Sequence, residues 1–287
     1  MPLDSIAEIL ASCSERNLAF WQVVLEADVE ERQVSAGASF EKMRATWRAM
    51  LDSAESYDGG LRSVSGLSGG DGELMLRYAA GGAALGGGSI SEVIATALCV
   101  GESNACMRKI VAAPTAGACG VLPAVLVPLY RRGEREEDIL RALYTAAGIG
   151  AVINSRASIS GAAGGCQAEI GSASAMAAGA LAQLRGGGPE QTANALAMAL
   201  KNLMGLICDP VAGLVEVPCV KRNVIGAVNA VSCADMALAG ITSRIPADEV
   251  IDCMGIVGER LPREFRETAR GGLAATPTGR AAWKQLK

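Results

Sequence analysis

Three cysteines stand in breaks of the chain rather than on its apolar helical stretches: Cys166 in GGCQAE, Cys208 in CDPVAG and Cys219 in VPCVKRN. A loop leaves backbone N–H groups free to donate to a sulfur, which suits a thiolate acting as a metal or iron–sulfur ligand. Gly164 and Gly165 let the backbone come close just before Cys166, while Pro210 and Pro218 stiffen the other two loops. The separations are 42 and 11 residues, and neither is a CxxC. Such spacing is compatible with a shared metal or iron–sulfur site and, more simply, with three buried thiols. Zinc is the less attractive metal, because three thiolates without histidine fall short of its usual set. A 4Fe–4S cluster on three thiolates keeps one iron open, and an open iron acts as a Lewis acid on a hydroxyl or carboxylate.

Other polar groups crowd the same breaks. Lys221, Arg222 and Asn223 follow Cys219 and are candidates to hold a carboxylate, for which Arg offers bidentate geometry. Asn154, Ser158 and Ser160 precede Cys166, and Thr115 lies in the APTAGACG turn. Each has a plainer reading as a surface charge or a turn residue. SGLSGGDG lacks the GxxxxGK(S/T) pattern of a phosphate loop, which argues against nucleotide binding. The chain has no histidine, so alone it builds no Ser-His-Asp triad, Cys–His pair or HExxH zinc site. Nine cysteines at irregular spacing do not read as a disulfide framework, and no signal peptide is visible; we read the thiols as reduced and the protein as cytoplasmic.

The elements that must position these groups are helical. Half of the 287 residues are hydrophobic but only 3% are aromatic, and there are 35 glycines. The apolar content is therefore small and aliphatic, which suits helices whose backbones approach closely. The formal charge of -4 excludes a basic nucleic-acid binder as the default. The longest uncharged run, residues 110–130, is broken by Pro114, Pro123 and Pro128, so no membrane span is expected. Residues 1–58 carry eleven acidic side chains against five basic ones and read as an acidic helical segment. A capping box, Ser5 with Glu8, opens its first helix, and a second ends near Leu51. Residues 59–91 are Gly/Ser-rich and predict left-handed turns. Helices follow from Glu92, over 139–154, over 172–184, from Pro189 to about Leu206, and over 224–240. No strand–helix rhythm is present. We expect an all-α fold: an N-terminal segment 1–58, and a domain 59–287 of closely packed Ala/Gly-rich helices whose Gly/Pro/Cys-bearing loops form the site.

Five stretches together resemble a known family. They are NACMRKIVAAPTAGACGVLPAVL, NSRASISGAAGGCQAEIGSASAMAAGAL, ALKNLMGLICDPVAGLVEVPCVKRN, ADMALAGITSRIPADEVID and ETARGGLAATPTG. They look like the α chain of the iron–sulfur-dependent L-serine dehydratases, over about residues 66–279. The resemblance implies a 4Fe–4S cluster on Cys166, Cys208 and Cys219. It also implies β-elimination of L-serine to pyruvate and ammonia without pyridoxal phosphate. That family places a histidine-bearing SSSHT motif in a separate β region, absent here, so the resemblance implies a β subunit that supplies the base. It further implies no cysteine cap from the chain's end, since Cys253 is the last cysteine. Competing readings are a related iron–sulfur lyase such as a cysteine desulfidase, a cluster-bearing sensor with Cys119 as a fourth ligand, and a purely structural subunit.

Overall fold

The computed structural model describes residues 4–286. Their regular structure is helical: α1 (Ile6–Arg16), α2 (Phe20–Arg32), α3 (Ala36–Glu55), α4 (Asp71–Ala80), α5 (Gly87–Ala105), α6 (Val121–Arg131), α7 (Glu136–Arg156), α8 (Gly161–Gly164), α9 (Ser172–Leu184), α10 (Pro189–Asn202), α11 (Cys219–Leu238), α12 (Ala247–Arg260) and α13 (Pro277–Gln285). Among the described residues the β content is one isolated bridge, Cys208 with Arg266. The fold is all-α, as composition and patterning predict, and no described helix is long and apolar enough to cross a membrane.

Helix α9 is the axis. Residues 172–182 are all buried, and α6, α7, α10 and α11 pack around them. A helix apolar on every side belongs inside a protein. Its small side chains set how closely the neighbours approach. A Cβ on Gly179 would stand 2.3 Å from Ile149 Cδ1 of α7 and 3.3 Å from Thr192 Cγ2 of α10. Small residues here do the work that large aromatics do in other cores, which explains the low aromatic content. The largest buried aromatics sit where the N-terminal helices dock: Phe20 and Trp47 join Ile6 and Ile9 in the same core as Ile139 and Ile149.

Local signals place many of the ends. Ser5 Oγ accepts from the Glu8 N–H at 3.1 Å and starts α1. Pro189 opens α10 at its first turn, where its missing N–H costs nothing. Four expectations need correction. The helix expected to end near Leu51 continues to Glu55, and α10 stops at Asn202 rather than near Leu206. Helix α11 begins at Cys219 instead of residue 224, directly after Pro218. The Gly/Ser-rich stretch holds the left-handed turns expected at Gly66, Gly69, Gly70 and Gly82, but also the unforeseen α4.

The reason for α4 is tertiary. Buried Glu102 of α5 accepts the N–H groups of Gly69 (3.2 Å), Asp71 (2.9 Å) and Gly72 (3.1 Å), and the Tyr57 hydroxyl at 2.6 Å. A carboxylate at a helix start satisfies otherwise orphaned donors and complements the dipole. The SGLSGGDG stretch thus does cradle an anion, one belonging to its own chain.

The α9 contact gives a test. Gly179→Ala adds a methyl that displaces the Cδ1 end of fully buried Ile149, which sets overpacking of about 1–3 kcal/mol against alanine's helix advantage of about 1 kcal/mol. Urea unfolding is expected to show a lower midpoint with an unchanged slope.

Candidate metal centre

Cys166 is delivered by a strained approach. Gly165 precedes it at φ +77, and a Cβ on Gly165 would meet Leu206 O at 2.9 Å. The chain then makes a single π turn, residues 167–171, that feeds into α9. Such turns recur at functional sites because they re-aim side chains. Fully buried Gln167 ties this turn to the loop leading to Cys208. Its N–H donates to Leu206 O (2.9 Å), its Oε1 accepts from Gly205 (2.8 Å), and its Nε2 donates to Met254 O (3.2 Å). Cys208 is held on both sides: its N–H donates to Phe265 O at 2.8 Å and its carbonyl accepts from Glu267 at 2.9 Å. Cys219 is the first residue of α11. All three cysteines are buried.

The π turn aims Glu169, three residues after Cys166, into the same place. Its Oε2 lies 4.0 Å from Cys166 Sγ and 3.9 Å from Cys208 Sγ. The three ligand atoms all fall within 4.8 Å of one another. Glu169 Oε1 accepts from the Thr115 hydroxyl at 2.7 Å. Glycines make the room: a Cβ on Gly161 would sit 2.5 Å from Glu169 Oε2 and 3.1 Å from Cys208 Sγ. One guanidinium, Arg222, faces this group. Its Nη1 donates to Cys166 Sγ (3.4 Å) and to Ile207 O (2.9 Å), and its Nη2 to Asp209 Oδ1 (2.8 Å). Asp209 Oδ2 also accepts from Leu273 N–H at 2.8 Å. Cys219 lies outside the tight trio, one turn before Arg222 on α11, within electrostatic reach of Cys166 and Glu169.

The electrostatics follow from this packing. The Cys208 thiol beside Cys166 pulls the Cys166 pKa below the ordinary thiol value, aided by Arg222 against burial. Cys208 is pushed up by the same contact and by burial, so of the two Cys166 gives up its proton more readily. Burial pushes up Glu169, and likewise Cys219. Several acidic donors therefore meet one cation that is already shared with Asp209. Ionised groups of one sign cannot stay buried unpaired, and a thiolate-rich set is what iron–sulfur clusters and softer cations take. The residues present fit a metal or cluster.

Each candidate residue has a definite position. Cys166 and Cys208 come together, with Cys219 outside the group but within electrostatic reach. Thr115 and Arg222 reach the group directly. Asn223 staples the turn to α11: its Oδ1 accepts from Gly120 N–H (2.8 Å), and its Nδ2 donates to Gly117 O (2.8 Å) and Cys219 O (2.9 Å). Lys221 turns away and pairs with Asp71. Ser160 is exposed and directly precedes Gly161, whereas Asn154 is exposed on the last turn of α7. The Cys119 thiol faces Val100 O at 4.0 Å and burial pushes its pKa up to about 12. Sequence reasoning missed Glu169 and Asp209. The Cys-Gln-Ala-Glu spacing was the available signal for Glu169, since residues three apart share a helix face.

Fold and centre together define a helical protein with a buried, thiol-rich site of the metal-holding kind. The chain belongs to the serine dehydratase alpha chain family, whose pattern matches residues 15–274. It is 46% identical to a probable L-serine dehydratase alpha chain of Bacillus subtilis, covering 98% of this chain and 94% of that one. The L-serine dehydratase alpha chain of Peptoniphilus asaccharolyticus is 39% identical, covering 96% of each. The L-serine dehydratase TdcG of Escherichia coli is 48% identical over 62% of this chain and 40% of its own.

The Arg222–Asp209 pair is almost wholly buried, with side-chain exposures of 15% and 3%. Asp209→Ala removes the carboxylate from a mostly buried guanidinium that keeps only Cys166 Sγ and Ile207 O as partners, and is expected to cost about 3 kcal/mol. Asp252→Ala breaks the partly exposed Arg156–Asp252 pair and is expected to cost no more than about 1 kcal/mol. Paired urea titrations check the contrast.

Proposed function

We propose that this chain is the cluster-bearing subunit of an L-serine dehydratase, converting L-serine to pyruvate and ammonia in the cytoplasm without pyridoxal phosphate. Cys166, Cys208 and Cys219 would hold a 4Fe–4S cluster with one iron not bound by cysteine. The observation carrying this reading is that Cys166 and Cys208, 42 residues apart in sequence, converge beside Cys219 in a buried, cation-poor centre. Bound there, the cluster supplies a Lewis-acidic iron that makes the substrate hydroxyl a better leaving group.

The chain's own residues prepare that chemistry. Arg222 donates to Cys166 Sγ and favours its thiolate form, and Asp209 holds Arg222. With three bonds already made, Arg222 is a positioning residue rather than the grip on the substrate carboxylate. Asn223 fixes the turn that carries Thr115, and Thr115 orients Glu169. Ser160, exposed beside Gly161, is the candidate to contact substrate from this chain. Removal of the Cα proton needs a base. A chain without histidine, related to proteins named alpha chains, takes that base from a β subunit bearing the SSSHT-type motif. The base draws off the Cα proton, hydroxide leaves Cβ, and the aminoacrylate formed hydrolyses to pyruvate and ammonia.

Anaerobic reconstitution with iron and sulfide tests the reading. The chain alone is expected to take up a full cluster yet leave serine untouched, and pyruvate is expected to appear only with the partner. Gly161→Ala is expected to lower bound iron at least tenfold while circular dichroism stays unchanged. A chain that takes up no sulfide, or that turns over serine alone at full rate, contradicts the proposal.

A further inference from the structure

We propose that the chain, when no sulfide is supplied, binds a single divalent cation of borderline softness, such as ferrous iron or zinc, through Cys166 Sγ, Cys208 Sγ and the Glu169 carboxylate, with Cys219 outside the set. This mononuclear site shares residues with the cluster reading but does not rest on it.

The spacing is that of donors to one ion. Metal bonds of about 2.3 Å to sulfur and about 2.1 Å to oxygen put tetrahedral neighbours roughly 3.6–3.8 Å apart. Glu169 Oε2 already stands 3.9 Å and 4.0 Å from the two sulfurs, and the trio closes within 4.8 Å. A small side-chain adjustment brings all three onto one centre. In a 4Fe–4S cluster each thiolate takes its own iron, which engages Cys219 as well, whereas a single ion needs only the trio.

The surroundings are those of a built site. Thr115 donates to the far oxygen of Glu169 and leaves Oε2 free for the cation. Arg222 donates to Cys166 Sγ and fixes its direction. Outer bonds of this kind orient first ligands and commonly govern affinity by one to two orders of magnitude. Gly161 and Gly117 leave the volume that the carboxylate occupies, since a Cβ on Gly117 would stand 3.1 Å from Glu169 Oε1. Two sulfurs and one oxygen suit Fe²⁺, Zn²⁺ and Co²⁺ over the hard ions Mg²⁺ and Ca²⁺. Three protein donors also leave a position for water. Cys219 belongs to a different element, the head of α11, and joins only when a larger inorganic core must be spanned.

Cobalt titration of the iron-free full chain, under anaerobic conditions and without sulfide, tests the site. One Co²⁺ per chain is expected, with a thiolate-to-cobalt charge-transfer band and the intense visible bands of tetrahedral coordination. Cys166→Ala, Cys208→Ala and Glu169→Gln are each expected to weaken binding at least tenfold, and Cys219→Ala to change it less than threefold. Thermal melts of the iron-free variants establish that they fold, and Glu169→Asp, which keeps the carboxylate, is expected to recover part of the affinity. Loss with Cys219→Ala equal to that with Cys166→Ala, or full binding by a folded Glu169→Gln, overturns the inference. The two readings fail separately. Cluster uptake by a chain that binds no single cobalt ion removes only the mononuclear site. Cobalt binding through the trio in a chain that takes up no sulfide removes only the cluster.

Discussion

The fold converges on one unbalanced charge. The sulfurs of Cys166 and Cys208 and the Glu169 carboxyl share a buried space, and the guanidinium facing them also serves Asp209. A core of alanines and leucines gains nothing by burying such groups, because desolvation disfavours every charged form among them. Keeping the thiols and the carboxyl protonated is the internal remedy. A cation or an inorganic cluster is the complete one. The electrostatics of the site alone thus favour an occupant of positive charge.

The helices exist, in this light, to hold four breaks in one place. The Thr115 turn, the Gly161–Cys166 approach, the loop through Cys208 and the head of α11 all lie at ends of helices packed on or near α9. Loops joined only by the chain would drift. Here side chains cross-link them: Gln167 ties the π turn to residues 205 and 206, Asn223 ties α11 to the Thr115 turn, and Arg222 ties α11 to residues 207 and 209. Each tie is a buried side-chain amide or guanidinium with several donors spent on backbone carbonyls or on a carboxylate. Removing one of them therefore leaves orphaned polar groups on both sides.

Much of this was legible in the sequence because it is local. Helix α9 is a run of alanine, serine and glycine closed by Gly186, and α10 opens on Pro189. Cys166 and Cys208 stand out because glycine and proline surround them. What was not legible is what depends on partners far along the chain. That Arg222 also serves Asp209 and Ile207 cannot be read from its place after Cys219. Lys221, its neighbour, leaves the site because an α-helix turns consecutive residues to different faces. Glu169 carried a spacing signal that went unread, since a charge within an apolar stretch looks first like an interruption. The start of α11 at Cys219 escaped prediction because Pro218 reads as a break, although a proline just before a helix marks its beginning as readily as its absence.

The Gly/Ser-rich segment shows how a suggestive pattern resolves into structure. Its backbone N–H groups grip Glu102, and its serines grip a second buried carboxylate, Glu216, through Ser63 at 2.5 Å and through Ser65. Glu216 lies in the loop between Cys208 and Cys219. The segment is therefore a clamp with one end on α5 and the other on the loop that carries two of the three cysteines. Both ends use the chemistry of anion recognition, N–H donors at a helix start and paired hydroxyls, on anions of the chain itself. Glycine is needed there for its backbone: Gly69 and Gly70 lie at φ +125 and +85, and a Cβ on Gly69 would strike Leu61 O at 2.3 Å. The segment is a brace that steadies the loop running from Cys208 to Cys219.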